Sequence, residues 1–394
     1  MITFCFDRVA DKYTGYPNLA RWSAEPYTEQ WRQFDQHWPY CVPCRLLMYF
    51  RYTQIRYRVC TVESAEFAYY PIAFGWFDFS CDYVGLLSEI VKLKCRERKI
   101  KLLFYYHEGD NPAHIKKRID QLIKNHNMPS DCYIFLSANT AADNIENFCF
   151  FNDHEFFFRH VNRNQESNSK YLPRDRDFTL LSRTHKWWRA SVVEDLVNSG
   201  LLDNSFWSYY TAETIENLPE DNPIELDQIE GWRQRVSDFV DQGPYTCDHF
   251  DLDQQNNHHI VNRDLYNQSN IHIILETHFD ADQSNGAFIT EKTYKAIKYG
   301  QPFVIVGTVG TLAQLKKQGY RTFDHVIDSS YDSITNNTER WYAIKKVISD
   351  LHSSGSNMIY QQCINDIKHN QQNFSARTSE PLNTMRKELL CQIK

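Results

Sequence analysis

The run from Phe288 to Gly307, FITEKTYKAIKYGQPFVIVG, constrains the fold more than any other part of the chain. It holds an amphipathic stretch, Thr290–Tyr299, that ends at Gly300 and is followed by the short apolar segment Phe303–Val306. A glycine at that position is a common helix stop, and a short apolar run after it is typical of a buried strand. A helix that leads directly into a buried strand predicts an α/β fold.

The same alternation of strand and helix extends through both halves of the chain, which implies parallel sheets with helical crossovers. In the first half, the pattern predicts strands at Leu46–Tyr52, Tyr57–Thr61, Lys101–Tyr106 and Cys132–Ser137, and helices over Tyr83–Leu93 and Ile115–Asn125. In the second half, it predicts strands at Phe178–Leu181, Ile271–Glu276 and Phe303–Val306, and helices over Trp187–Ser199, Trp232–Val240, Thr290–Tyr299, Thr311–Gln318, Asn357–His369 and Pro381–Ile393.

A polar stretch between Asn152 and Arg176 separates the two halves, and polar stretches of this kind often join domains. We therefore predict one α/β domain over residues 1–174, a second over residues 175–356, and a C-terminal helical segment over residues 357–394 that packs back across the first domain.

Length and composition favour a soluble protein with two cores, since the chain has 394 residues of which 42% are hydrophobic. No window reaches the roughly 18 apolar residues of a membrane span, and the N-terminus lacks the features of a signal peptide. The 11 cysteines are scattered from Cys5 to Cys391, which fits reduced thiols better than a disulfide framework. We expect a cytoplasmic location, in the host cytoplasm if the source is a virus.

Motifs for resident cofactors are missing or incomplete. The turn from Gly307 to Gly310 lacks the third glycine of a dinucleotide fingerprint, and the chain has no Gly-Lys-Ser/Thr phosphate loop. Cys41 and Cys44 have redox or zinc spacing without a second ligand pair, so we interpret them as core thiols. The motif Asp251–Asp253 lies in a polar segment, and we interpret it as an acidic loop. The sequence predicts neither a cofactor nor a metal site.

The helix that begins at Thr290 carries an acid and a base, Glu291 and Lys292, in its first turn. Backbone N–H groups at a helix N-terminus are unpaired and carry about half a positive charge, so a lysine there adds to an anion site. The carboxylate of Glu291 cannot bind an anion, because both are negatively charged. It needs another partner, and sugar hydroxyls are suited because they donate hydrogen bonds. The alternative is a capping arrangement. In it, Thr290 caps the N-terminus of the helix, and the helix dipole stabilises the negative charge of Glu291.

A second cationic helix start follows the first strand of the second half. Its segment Ser182–Arg189 offers three cations, Arg183, Lys186 and Arg189, to a phosphate group. In an open α/β sheet, ligands bind beyond the carboxyl ends of the strands, where both helix starts and Glu276 lie. We therefore predict that the two helix starts converge on one diphosphate. The alternative for Arg189 is an exposed helix face.

These residues resemble the donor domain of fucosyltransferase-like glycosyltransferases, and most closely a group of uncharacterised viral and bacteriophage proteins of that superfamily. The resemblance covers about residues 177–350. It is carried by the run from Phe288, the helix of Arg189, Glu276-Thr277, Gly319–Asp324 (GYRTFD) and Asp328–Asp332 (DSSYD). It implies a GT-B arrangement, with an acceptor-side and a nucleotide-sugar-binding Rossmann-like domain that face each other across a cleft.

The resemblance also implies roles for single residues. Glu291 would bind the ribose hydroxyls, Lys292 and Arg189 the diphosphate, and Phe288 would pack beside the nucleotide. The donor would be a nucleotide-diphospho-sugar such as a GDP- or UDP-sugar. The predicted donor-binding residues are Arg183, Arg189, Glu276, Phe288, Glu291 and Lys292.

Attack by an acceptor hydroxyl requires a group that takes up its proton. The predicted strand Lys101–Tyr106 is followed by two carboxylates, of which Glu108 is the first candidate for the catalytic base and Asp110 the second. An acidic loop before the next helix is the alternative. Asp78 is a further candidate whose aromatic neighbours suit a sugar, although a buried aromatic cluster would give the same pattern.

The leading hypothesis is an inverting, metal-independent glycosyltransferase, transferring a hexosyl or pentosyl group to a glycan, a glycoprotein or another hydroxyl acceptor. One alternative makes viral nucleic acid the acceptor, which the basic runs Lys92–Lys101 and Lys116–Arg118 suggest. The acidic second half, with 21 Lys and Arg against 30 Asp and Glu in residues 175–394, disfavours general nucleic-acid binding, which requires the neutralisation of several phosphates. Solvated helix and loop faces are the alternative for the two basic runs. The other alternative is a non-catalytic module that binds a nucleotide-sugar.

Overall fold

The computed structural model of the chain describes residues 1–6, 56–74, 77–161, 171, 174–210, 222–226, 230–247, 261–280, 286–377 and 380–392. The chain divides into two compact units. One consists of Met1–Asp153 and Thr378–Lys394, and the other of His154–Arg377.

Strands and helices alternate in both units. The strands are β1 (Ile2–Phe6), β2 (Tyr57–Thr61), β3 (Ala68–Phe74), β4 (Ile100–Tyr106), β5 (Tyr133–Ser137), β6 (Phe148–Phe150), β7 (Arg176–Ser182), β8 (Phe206–Tyr209), β9 (Ser269–Leu275) and β10 (Phe303–Val306). The helices are α1 (Glu89–Arg96), α2 (Pro112–Asn125), α3 (His154–Val161), α4 (Trp187–Asn198), α5 (Trp232–Gln242), α6 (Arg263–Gln268), α7 (Glu291–Tyr299), α8 (Thr311–Lys317), α9 (Asn337–Ser353), α10 (Ser356–Ala376) and α11 (Glu380–Gln392). The predicted α/β class, with parallel sheets and C-terminal helices, is confirmed.

The first unit is built on a parallel sheet with the strand order β2-β1-β3-β4-β5-β6. The apolar residues of α1 and α2 are buried in its core. The last helix, α11, packs against β1 and β6, and the Tyr69 hydroxyl donates a hydrogen bond to the Leu389 carbonyl at 2.6 Å. The C-terminal helix therefore belongs to the first unit.

The second unit is built on a parallel sheet with the order β10-β9-β7-β8. From β7 the chain moves to one side to form β8 and then returns to the other side to form β9. The strand order therefore reverses between β7 and β9. Ligands of open α/β sheets bind at the carboxyl ends of the strands beside such a switch point.

The unit boundary lies after Asp153 and not after residue 174 as predicted. Helix α3 belongs to the second unit because Phe158 is buried in its core, where the ring lies 6.3 Å from that of Phe374 in α10. Helix α10 packs against α7 and β9, so the prediction that it covers the first domain is wrong. Both helices are amphipathic, and that pattern does not specify which sheet a helix covers.

Several strands and one helix lack a clear sequence pattern that would predict them. The interior strand β3 contains Pro71, a residue that normally argues against an interior strand, and the short β6 and β8 were also not predicted. Helix α9 was likewise not predicted. The predicted strand Leu46–Tyr52, the pair Cys41 and Cys44, and Asp251–Asp253 lie outside the described residues. The described cysteines are free thiols, as expected.

A buried histidine in β9 predicts acid sensitivity of the second unit. Burial, assisted by the nearby Lys295 ammonium, lowers the pKa of His272 to about 3. The unfolded chain binds this proton near pH 6.5, so the stability contribution is complete above that pH and is lost as the pH falls toward 3, at up to about 1.4 kcal/mol per pH unit. We expect the free energy of unfolding of His272→Gln to fall less than that of the wild type between pH 6.5 and 5.5, by about 1 kcal/mol.

Urea unfolding at these pH values measures the difference, with His325→Gln as the control because the His325 side chain is half-exposed. An equal pH slope for His272→Gln and the wild type would contradict the assignment.

Candidate functional site

The carboxyl ends of β7 and β9 flank the switch point of the second sheet. The segment that follows β7 leads into α4, and the segment that follows β9 leads toward α7. The predicted donor-binding residues lie on these two segments and on the first turns of the two helices, with residues 281–285 outside the described part.

Glu276 follows β9 directly and organises the start of α7. Its side chain is fully buried, and its Oε1 accepts hydrogen bonds from the Thr290 backbone N–H at 3.1 Å and the Thr293 hydroxyl at 2.7 Å. Its Oε2 accepts from the Thr290 hydroxyl at 2.7 Å and the Thr277 backbone N–H at 3.2 Å. Because both oxygens are used inside the protein, Glu276 positions the site.

Arg189 is buried, with 3% of its surface exposed, so the alternative of an exposed helix face is wrong. Its Nη1 donates to the Thr184 carbonyl at 3.1 Å and its Nη2 to the Glu276 carbonyl at 2.6 Å. Burial lowers its pKa to about 10, against the opposing effect of the Glu276 carboxylate. The guanidinium thus joins the segment after β7 to the end of β9, and it brings a fixed positive charge to the switch point.

Lys292 and Lys186 converge on Thr277. The Lys292 ammonium donates to the Thr277 hydroxyl at 3.2 Å and the Thr290 hydroxyl at 3.0 Å, while the Lys186 ammonium donates to the Thr277 carbonyl at 2.7 Å. The Lys292 side chain remains 26% exposed. Thr290 caps α7, accepting the Lys292 backbone N–H at 3.4 Å. The capping arrangement and the cationic helix start are therefore both present.

His278 belongs to the same cluster, although the sequence analysis did not single it out. It is 8% exposed, and its pKa is lowered to about 3, first by burial and then by the charges of Lys186, Arg189 and Lys292. His278 thus lies near three cations, and the carboxylates of Glu276 and Glu291 belong to the same cluster. No sequence pattern identifies it, because the cations come together only in the folded sheet.

Glu291, in the first turn of α7, lies near the Lys292 ammonium and the His154 imidazole. Its Oε1 is 3.8 Å from the Lys292 ammonium, and its Oε2 is 3.7 Å from Nδ1 of His154 in α3. Phe288 is buried, and its ring contacts the imidazoles of His154 and His278 at centroid distances of 5.3 Å and 5.7 Å. Glu291 thus lies beside Lys292 and His154, and Phe288 contacts the same histidine.

Arg183 and Lys295 extend the positive charge around Glu291. Arg183 is exposed on the segment after β7. Lys295 lies one turn beyond Glu291 in α7 and was missed because it resembles any lysine of an amphipathic helix. Burial lowers its pKa to about 8, the Glu291 carboxylate opposes this shift, and the charges of Lys292 and Arg183 add to it.

The neighbouring helix start, after β10, is already occupied by a carboxylate of the chain. Asp332 accepts the backbone N–H groups of Leu312 at 2.9 Å and Ala313 at 3.0 Å in α8. Burial raises the pKa of Asp332 despite these hydrogen bonds. This helix start is thus satisfied internally. The start of α7 is also capped from within the protein, and it differs in having two ammonium groups, those of Lys292 and Lys186, that meet at Thr277.

The candidate bases lie in the first unit, after β4. Glu108 has a 30% exposed side chain, and its Oε1 is 3.5 Å from Nε2 of the buried His107. The Asp110 carboxylate accepts a hydrogen bond from the Tyr106 hydroxyl, whose pKa is raised by burial and by this carboxylate. The Asp110 carboxylate is thus engaged by the tyrosine, and the Glu108 carboxylate lies beside an imidazole.

Asp78 forms a turn. Its Oδ1 accepts from the Ser80 hydroxyl at 2.6 Å and the Ser80 backbone N–H at 2.7 Å, and these bonds lower its pKa. A carboxylate with a lowered pKa is a weak base. Phe77 is buried with ring contacts to Tyr83 and Tyr106, which matches the aromatic-cluster interpretation.

Metal-binding clusters and membrane-spanning helices are both absent from the described ranges. There, no group of three or more His, Cys, Asp or Glu side chains is arranged to hold a metal ion. No helix among those residues is both long and apolar enough to cross a membrane.

Comparisons with known proteins give little similarity. No protein-family model matches the sequence, and no curated protein matches it. Among solved structures, the chain is similar to the crystal structure of the DNA modifying enzyme beta-glucosyltransferase, solved in the presence and absence of the substrate uridine diphosphoglucose. The identity is 9%, the TM-score is 0.38, and the alignment covers 87% of this chain and 92% of that chain. The resemblance to fucosyltransferase-like enzymes stays a prediction.

Proposed function

We propose that the protein is a glycosyltransferase that uses a nucleotide-diphospho-sugar as donor. The observation that carries the proposal is the convergence of Lys186, Lys292 and Arg189 around His278 at the switch point of the second sheet. This place combines fixed cations with the capped start of α7, and it lies where α/β sheets bind their ligands. A diphosphate is the group whose charge these features match.

We propose a mechanism without a metal ion, in which only the donor, the acceptor and side chains of the protein take part. When an acceptor hydroxyl displaces the nucleoside diphosphate from the anomeric carbon, negative charge develops on the leaving phosphates. Lys292 and Lys186 would stabilise that charge directly, and the buried Arg189 would add to the local positive potential. Glu291 would bind the ribose hydroxyls, and Phe288 would pack beside the nucleotide. We propose inversion at the anomeric carbon in a single displacement.

Glu108 is the proposed general base. Its exposed carboxylate, beside the buried His107, has the capacity to accept a proton from a hydroxyl group. Asp110 stays the second candidate. The acceptor is proposed to be a glycan, a glycoprotein or another hydroxyl compound.

A donor screen followed by one substitution tests the proposal. Thermal shift with a panel of GDP- and UDP-sugars should identify the donor, since a ligand at 100 times its dissociation constant stabilises the protein by about 2.7 kcal/mol. We then expect Glu291→Ala to weaken donor binding by about tenfold, because a hydrogen bond to a charged group is lost. Transfer by Glu291→Ala at the unaltered rate would contradict the proposal, and Glu339→Ala, at an exposed position of α9, is the matched control.

The nucleic-acid alternative stays a second proposal, and the basic runs that suggest it make several contacts within the protein. Lys92 binds Glu89 at 2.9 Å, Arg98 binds Asp131 at 2.5 Å, and Arg118 donates to the carbonyls of Ser80 and Cys81. Lys92 is buried, whereas Arg98 stays exposed at the surface, where an ion pair is weak. DNA binding that weakens steeply as the salt concentration rises would support the nucleic-acid alternative.

The binding-module alternative predicts a different pair of results. The protein would bind a nucleotide-sugar, yet it would neither transfer the sugar nor slowly hydrolyse the donor. The enzyme hypothesis instead expects turnover that falls when Glu108 is replaced by Gln.

A further inference from the structure

We infer that Phe79, on the segment after β3, forms a platform for the acceptor in the first unit, and that the acceptor packs the apolar face of a neutral sugar ring against it. The inference rests on the proposed function and deepens it, because the proposed function leaves the acceptor open among hydroxyl compounds. In the sequence, Phe79 is one of several aromatic neighbours of Asp78, and no motif distinguishes it.

Phe79 is a large apolar side chain at the protein surface. Its exposed fraction is 47%, whereas Phe77, two residues earlier, is buried. The two rings meet edge to face at a centroid distance of 4.9 Å. Phe77 in turn contacts the rings of Tyr83 at 5.3 Å and Tyr106 at 6.1 Å. The exposed ring is therefore supported by a buried aromatic cluster.

The turn that carries Phe79 is fixed on both sides of this residue. Before it, the Asp78 backbone N–H donates to the Tyr83 hydroxyl at 2.6 Å, and the Asp78 carboxylate accepts from the Ser80 backbone N–H at 2.7 Å. After it, Nη2 of Arg118 donates to the Ser80 carbonyl at 3.2 Å. An aromatic ring that is ordered in advance loses little freedom when it binds a ligand.

Phe79 lies at the same edge of the first sheet as the proposed base. Strands β3 and β4 are parallel neighbours, and Phe74 is opposite Tyr106 at their carboxyl ends. Phe79 follows the first of these strands and Glu108 the second. The Tyr106 ring also contacts Phe77, which supports Phe79. A sugar on this platform thus lies at the strand edge where α/β sheets bind their ligands and where Glu108 is found.

The charges at this edge favour a neutral sugar over a nucleic acid. The described parts of the segments after β3 and β4 carry the carboxylates of Asp78, Asp82, Glu108 and Asp110. Carboxylates accept hydrogen bonds from hydroxyl groups and repel phosphates. Nucleobases also stack on aromatic rings, so the carboxylates and not the ring decide between the two acceptors. The C–H groups of a sugar ring suit an aromatic face because that face carries partial negative charge.

The test measures acceptor use and donor binding separately. Methyl glycosides of glucose, galactose, mannose and N-acetylglucosamine are the sugar acceptors, and single-stranded and duplex DNA oligonucleotides are the nucleic-acid acceptors. Release of nucleoside diphosphate from the donor identified by thermal shift, above the rate without acceptor, is followed for the wild type, Phe79→Ala, Phe79→Leu and Phe79→Trp. Phe67→Ala is the matched control, since Phe67 is 59% exposed and precedes β3 at the opposite edge of the sheet.

We expect the wild type to use at least one methyl glycoside, and Phe79→Ala to raise the KM for that acceptor by about tenfold, because the contact between ring and sugar is lost. Phe79→Leu keeps apolar bulk without a flat ring and should also raise this KM, whereas Phe79→Trp should keep it within about threefold. The donor dissociation constant should not change in any of these variants, which a loss of folding would alter. Phe67→Ala should have the KM of the wild type.

The outcomes separate the inference from the proposed function. A wild type that binds no nucleotide-sugar overturns the proposed function, and the inference falls with it. A wild type that binds the donor but uses none of the methyl glycosides overturns the inference alone, and transfer to DNA would then identify nucleic acid as the acceptor. An unaltered acceptor KM in Phe79→Ala or, if that variant does not fold, in Phe79→Leu also overturns the inference alone.

Discussion

Glu276→Ala should lower the free energy of unfolding of the second unit by about 3 kcal/mol, the scale expected when a buried, fully hydrogen-bonded charge is removed. The substitution leaves the hydroxyls of Thr290 and Thr293 and two backbone N–H groups without their acceptor in a buried place. It also frees the start of α7, so donor binding should be lost together with stability. Urea unfolding and donor titration measure the two effects.

Two matched variants keep this prediction testable if Glu276→Ala does not fold. Thr293→Val removes a single donor to the Glu276 carboxylate and should cost about 1 kcal/mol. Glu339→Ala removes an exposed carboxylate from the first turn of α9 and should cost about 0.5 kcal/mol or less. Equal stability of Glu276→Ala and Glu339→Ala would show that the Glu276 network does not hold the site together.

Lys292→Met should lower kcat by about 100-fold to 1,000-fold, as expected when a fixed group that stabilises transition-state charge is removed. The ammonium donates to the Thr277 and Thr290 hydroxyls, and 26% of the side chain is exposed. Met keeps the length and the apolar stem of the side chain. Turnover of the donor identified by thermal shift, measured at saturating concentration, gives kcat.

The controls for Lys292→Met separate charge from folding. Lys292→Arg keeps the charge and should retain more activity than Met, while Lys317→Met changes an exposed lysine at the end of α8 and should leave kcat unchanged. Thermal unfolding of each variant checks the fold. A kcat of Lys292→Met within threefold of the wild type would remove Lys292 from the mechanism.

Local signals in the sequence were sufficient for the helix starts that frame the candidate site. Thr290 caps α7 and Gly300 ends it, because caps and stops depend on a few neighbouring residues. Helix α2 begins at Pro112, three residues before its predicted start at Ile115. The same holds for most strands of the two sheets. Strand β3 was missed because its Pro71 argues against an interior strand, and only the completed sheet accommodates it.

The roles of the charged residues were less accessible from sequence. Glu276 was predicted to bind the donor, yet the fold surrounds its carboxylate with protein donors. One interpretation of the sequence placed Arg189 on an exposed helix face, whereas the structure buries its side chain. His154, His278 and Lys295 carry no motif at all. Burial and charge proximity depend on contacts between residues distant in sequence, and a single sequence does not contain those distances.

The sequence by itself determined the α/β class, the parallel sheets and the cationic start of α7, because hydrophobic period, helix caps and glycine stops act over a few residues. Only the tertiary structure decided that the chain divides after Asp153, that α10 covers the second sheet and α11 the first, and that His154 lies beside Glu291. These features depend on which of the two hydrophobic cores each apolar helix face packs against. That choice is made by packing over the whole chain, and no local pattern records it.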